Sequence, residues 1–89
     1  MNEAIEQPID GVLDLHNFRP KEVRSLLDEY LPLCREKGIL ELRIIHGKGT
    51  GALREMVHSH LKKMPIVDSF HLADASSGGW GATVARLRR

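Results

Sequence analysis

Between Gly11 and Ala73 the apolar residues alternate between two spacings, and this constrains the fold of the 89-residue chain more than any other property. Gly11-Val12-Leu13-Asp14-Leu15-His16 is short, aliphatic and followed by a polar turn, as expected of a strand. Val23, Leu26, Leu27, Tyr30, Leu31 and Cys34 then recur at the i, i+3, i+4, i+7 spacing of an amphipathic helix. Pro20 suits the first turn of that helix and Gly38 its end. Pro32 lies inside it, so a kink or a helix in two pieces is expected. Leu40, Leu42, Ile44 and Ile45 mark a second strand over 39–45. Helical spacing returns with Leu53, Met56, Val57, His60, Leu61 and Met64 and stops at Pro65. Residues 66–73 read as a third strand. After a turn-rich loop over 74–79, residues 80–87 have the composition of a fourth.

A β-α-β-α-β order with helices of this length implies parallel strand directions joined by right-handed crossovers. The fourth strand follows a short loop and should run antiparallel. The expected fold is therefore α/β, a two-layer sandwich of order β-α-β-α-β-β with two helices on one face of a four-stranded mixed sheet. Residues 1–8 are polar, end in Pro8 and read as a flexible lead. Residues 9–89 are long enough for one hydrophobic core and too short for two. A monomer is expected.

The first ten residues contain no basic segment followed by an apolar run, so no secretory signal is read, and no stretch is long enough for a membrane helix. Cys34 is the only cysteine, which excludes an internal disulfide and a cysteine-based zinc cluster. A reducing cytoplasm is the expected setting. Net charge is only +1, but its distribution is uneven. Glu3, Glu6 and Asp10 make the start acidic, whereas Arg43, Lys48, Arg54, Lys62 and Lys63 stand against Glu55 alone between 43 and 63. Arg86, Arg88 and Arg89 add a second basic cluster. Brought together, the two would attract phosphates; apart, they are solvated surface.

In open sheets of this type ligands bind beyond the carboxyl ends of the parallel strands. Asp14 and His16 end the first strand, two residues apart, and His46 ends the second. The loop that follows, His46-Gly47-Lys48-Gly49-Thr50-Gly51, has glycine at every second position and opens into a helix. Free N–H groups and the helix dipole there suit an anionic oxygen, with Lys48 and Arg54 adding charge. The G-x-x-x-x-G-K-[ST] spacing of a nucleotide-binding loop is absent, so no nucleotide cofactor is expected. Taken alone, such a loop is more often a tight strand-to-helix turn than a site, and each polar strand end is more often simply exposed. Together, His16 and His46 could act as base and acid on a phosphodiester, and Asp14 could orient a histidine or bind a divalent metal such as magnesium or manganese. His58, His60 and His71 read as surface or core-edge residues. Trp80, between Gly79 and Gly81, suits base stacking and core packing about equally.

Three segments carry a family resemblance. Leu13-Asp14-Leu15-His16, the run from Ile44 through His46-Gly47-Lys48-Gly49-Thr50-Gly51 to Arg54, and Gly78-Gly79 with Gly81-Ala82-Thr83-Val84 closely resemble the Smr (small MutS-related) domain. The resemblance implies a sandwich like the C-terminal domain of translation initiation factor 3. It also implies nicking or endonuclease activity on DNA or RNA, tied to DNA repair and recombination or to ribosome quality control. The family's Asp-x-His motif falls on Asp14 and His16, its His-Gly-x-Gly motif on His46, Gly47 and Gly49, and its late glycines on Gly79 and Gly81. Where the family usually has glycine after the first motif, this chain has Asn17, the non-glycine residue most tolerant of left-handed backbone. Arg19 stands where a capping Ser or Thr is expected. A module that binds nucleic acid without cutting it, or a protein-interaction adaptor, are the alternatives to an endonuclease.

Overall fold

The computed structural model describes residues 8–74 and 81–89. Six elements follow in the order β1 (Val12–Asp14), α1 (Pro20–Glu36), β2 (Glu41–Ile45), α2 (Ala52–Lys63), β3 (Val67–Leu72) and β4 (Ala82–Leu87). The strands form one mixed sheet in the spatial order β1-β2-β4-β3. β1 pairs parallel with β2, and β4 lies antiparallel to both β2 and β3. The three strands linked by helices thus point the same way, and the last strand fills the gap between the second and third. This is the mixed α/β sheet with two helices expected from the changes of period.

Strand alternation sorts the sheet into two faces. Leu13 of β1, Leu42 and Ile44 of β2, and Thr83, Ala85 and Leu87 of β4 are buried together with the stripe of α1 and with Val57 and Leu61 of α2. Burying each large aliphatic side chain here contributes about 1.5–3 kcal/mol. On the other face Val12 pairs with Arg43, and Glu41 is bonded to Arg86 at 3.0 Å. In β3 the pairing register shifts between Val67 and Ser69, a bulge that puts Phe70 opposite Ala85.

Helix α1 starts at Pro20 without a side-chain acceptor at Arg19; instead the Glu22 carboxylate accepts the Arg19 backbone N–H at 2.8 Å. The turn before it needs no left-handed residue at Asn17, because no described non-glycine residue has positive φ. Asp14 Oδ1 holds that turn by accepting the His16 N–H at 2.9 Å. At its other end α1 closes on Gly38, with Gly38 N–H donating to the Arg35 carbonyl and Ile39 N–H to that of Cys34. The expected break at Pro32 does not divide the helix, which is continuous through it. Pro32 and Asp28, whose carbonyl loses its partner, are both on the exposed side, where water can satisfy that oxygen. The apolar stripe on the opposite side continues unbroken from Val23 to Cys34.

Candidate functional site

Parallel pairing of Asp14 with Ile45 sets the carboxyl ends of β1 and β2 side by side, and the segment 46–51 leaves the sheet there. Two bonds fix its start: the backbone N–H groups of His46 and Gly47 both donate to the Gly81 carbonyl, at 2.9 and 2.8 Å. Gly81, one of the late glycines singled out in the sequence, thus supports the loop from below. A Cβ at Gly81 would lie 3.7 Å from Gly47 Cα, so the two segments run in close contact. Gly47 and Gly51 have φ of 82° and 89°, values that L side chains rarely adopt. Gly51 is the N-cap of α2 and offers no side chain to its free N–H groups. Thr50 Oγ1 accepts the Ala52 N–H at 3.3 Å.

Pro20 and residues 46–54 line a cleft of about 280 Å³ over this helix end. Lys48 is exposed, and the Arg54 guanidinium folds back so closely that a Cβ on Gly51 would lie 2.6 Å from its Nη2. Neither cation forms an ion pair among the described residues. The cleft therefore combines two cations, loop amides and a helix N-terminus, which is the chemistry of an anion site.

The three groups expected to act together are distributed differently. Asp14 and His16 are exposed, whereas His46 is only 8% exposed. Asp14, opposite Ile45 in register, faces away from the helices; His46, one residue further on, reaches β4 on the helix side. No side-chain hydrogen bond joins Asp14 or His16 to His46 among the described residues. Likewise, no group of three or more His, Cys, Asp or Glu among them could hold a metal ion, so Asp14 lacks co-ligands there. Gly79 and Trp80 lie outside the described residues.

Beneath the loop is an arrangement that the sequence did not reveal. His46 Nδ1 lies 2.9 Å from the Gly47 carbonyl and its Nε2 lies 2.8 Å from Thr83 Oγ1, while His58 Nε2 reaches the same hydroxyl at 2.7 Å. The His58 ring packs on Phe70 at 4.9 Å and meets the His46 ring edge-on at 6.1 Å. A carbonyl can only accept, so His46 carries its proton on Nδ1. Its neutral Nε2 then accepts from the Thr83 hydroxyl, which in turn accepts from His58 Nε2–H. Burial holds both imidazoles below the ordinary histidine pKa; the Arg54 charge adds to this at each ring, and His46 and Lys62 add to it at His58. Both ring nitrogens of His46 are therefore engaged within the protein, whereas His16 remains exposed. His58 lay off the apolar stripe of α2 in the sequence, and only the packing of α2 over β4 reveals its place. His60, by contrast, bonds Asp28 at 2.8 Å and ties α2 to α1.

Comparisons with known proteins identify the family and the fold. A family model described as Smr domain matches residues 13–88. The chain is 46% identical over 76 residues to a protein named endonuclease MutS2 from Staphylococcus carnosus, covering 85% of this chain and 10% of that protein. It is 41% identical over 80 residues to the endonuclease MutS2 of Halothermothrix orenii, covering 90% of this chain and 10% of that protein. The chain thus spans about a tenth of the length of these relatives. Among solved structures, the Smr domain of Thermus thermophilus MutS2 matches with a TM-score of 0.82 and 38% identity, covering 88% of this chain and 98% of that one. YdaL, a stand-alone small MutS-related protein from Escherichia coli, matches with a TM-score of 0.83 and 26% identity, covering 92% of this chain and 67% of that one.

Proposed function

The chain belongs to the Smr domain family, and from that premise we propose that it binds nucleic acid at the loop 46–51 and cuts a phosphodiester bond beside it. The observation that carries this reading is the cleft over the start of α2, where glycine amides, Lys48 and Arg54 converge at the carboxyl ends of two parallel strands. In this reading Gly47, Gly49, Thr50 and Gly51 form the floor for the reacting phosphate, and Lys48 and Arg54 hold flanking phosphates. His16 is the exposed imidazole able to exchange a proton with the reacting oxygen, and Asp14 fixes its turn through the His16 N–H. His46 completes the site from beneath, tying the Gly47 carbonyl to β4. Gly79 and Trp80 would extend the contact to neighbouring nucleotides.

The test is a cleavage assay on RNA and on nicked or branched DNA, with and without chelator. His16→Ala and His46→Ala should each abolish product while the sheet signals in an amide spectrum persist. Unchanged cleavage by His46→Ala would overturn the assignment. A cyclic phosphate at the product end would indicate attack by the RNA 2′-hydroxyl. A second reading, a module that binds without cutting, is favoured by one observation: both nitrogens of His46 are already bonded within the protein. Salt-dependent binding with no product after long incubation would select it.

A further inference from the structure

We infer that His58, Thr83 and His46 form a one-proton relay under the loop, in which His58 is the positioning residue: a proton taken up at His58 Nδ1 is expressed as charge on His46, so that anion binding at the loop is linked to uptake of one proton. The anion-linked part rests on the proposed phosphate site; the relay itself rests on the hydrogen bonds alone.

The geometry permits two saturated states. In the neutral state His58 Nε2–H donates to Thr83 Oγ1 at 2.7 Å, and the Thr83 hydroxyl donates to His46 Nε2 at 2.8 Å. When a solvent proton bonds to His58 Nδ1, the Nε2 proton of His58 passes to Thr83 oxygen and the Thr83 hydroxyl proton passes to His46 Nε2. One proton has been gained, His58 is again neutral, and both bonds survive with their direction reversed. His46 keeps its Nδ1–H on the Gly47 carbonyl in either state. A second proton would aim two N–H groups at one hydroxyl oxygen, leave the hydroxyl proton without its acceptor, and place two cations 6.1 Å apart.

The surroundings determine when the relay is charged. His58 faces Arg54, Glu55 and Lys62 on its own helix, His46 beyond β2, Thr83 on β4 and the uncharged Phe70 ring on β3. Cations outnumber the single carboxylate, and burial opposes charge at both rings, so in the free protein both effects work against a proton on the pair. An anion in the cleft above His46 offsets that repulsion and draws the proton in.

Two measurements test this on the full chain. In a nitrogen-15 NMR titration without ligand, the two rings should take up one proton between them, with a second midpoint well below the first. Thr83→Val, which cuts the relay at its centre, should bring the two midpoints together. Coincident midpoints in the wild type, or midpoints unmoved by Thr83→Val, would overturn the relay whatever the protein binds. The second measurement is the affinity for a single-stranded oligonucleotide, whose phosphodiesters do not titrate in this range, as a function of pH. Affinity should rise as pH falls, by at most about tenfold per pH unit, the limit for one linked proton. His58→Phe and Thr83→Val, which change what each protonated ring is bonded to, should each move that contribution to a different pH. A profile identical in all three proteins would overturn the linkage, whereas no binding by any of them, with the NMR result as expected, would instead overturn the proposed function.

Discussion

The Tyr30 hydroxyl accepts the N–H of Gly11 at 3.2 Å and lies 3.1 Å from the Pro8 carbonyl, so one fully buried side chain of α1 holds the segment leading into β1. Burial raises its pKa to about 12, with the neighbouring Cys34 adding to the effect, so the hydroxyl stays protonated and can donate throughout the ordinary pH range. Tyr30→Phe keeps the ring and strands the Gly11 N–H. The expected loss is about 1–3 kcal/mol, measured by urea denaturation, because a buried donor without a partner costs its full desolvation. A loss near zero would mean that water replaces the hydroxyl. The sequence placed Tyr30 on the helical stripe, since spacing reveals burial, but spacing carries no information about what a hydroxyl touches 19 residues away. His58 makes the same point in the site. Its spacing from Val57 and Leu61 marked it as off the stripe, and its bond to Thr83, 25 residues on, exists only because the fold brings α2 within reach of β4.

Helix α1 carries the clearest consequence at the level of an element. Pro32 is exposed and interior to 17 helical residues, and the packed stripe behind it tolerates the lost backbone bond. Pro32→Ala should therefore stabilise the protein, by up to about 3 kcal/mol on intrinsic helix propensity. Thermal unfolding checks this, and an unchanged or lowered midpoint would show that the ring makes contacts that matter more. The helix ends were legible for a physical reason: Pro20 and Gly38 act locally, one by its fixed φ and missing N–H, the other by closing the last turn. The continuity through Pro32 was not, because a local penalty was outweighed by burial of residues on the far side of the helix. In α2 the loop glycines announced a helix start, and Gly51 does cap it at positive φ. The bulge in β3 left no mark in the apolar pattern, since the pairing partner that defines it lies in β4.

Across the whole molecule, stability should fall on mild acidification. His46 and His58 have folded-state pKa values below 6.5, so as pH drops past that value the unfolded chain binds protons that the folded chain excludes. Their contribution is fully present above pH 6.5 and is lost as pH falls toward the folded-state values, at no more than about 1.4 kcal/mol per pH unit for each ring. Urea denaturation between pH 7.5 and about 5 measures the slope, and His58→Phe should flatten it. An equal slope in the variant would place the titration elsewhere. The sequence by itself determined the element order, the face of each helix that is buried, and the glycine loop opening into α2, because hydrophobic period and backbone freedom are local properties written residue by residue. It also determined the family, through three motifs in order. Tertiary structure alone decided the insertion of β4 between β2 and β3, the separation of Asp14 and His46 onto opposite faces of the sheet, and the two imidazoles sharing one threonine hydroxyl. Those depend on which distant segments meet. A hydrogen bond reaches about 3 Å, and nothing in the order of residues states that distance.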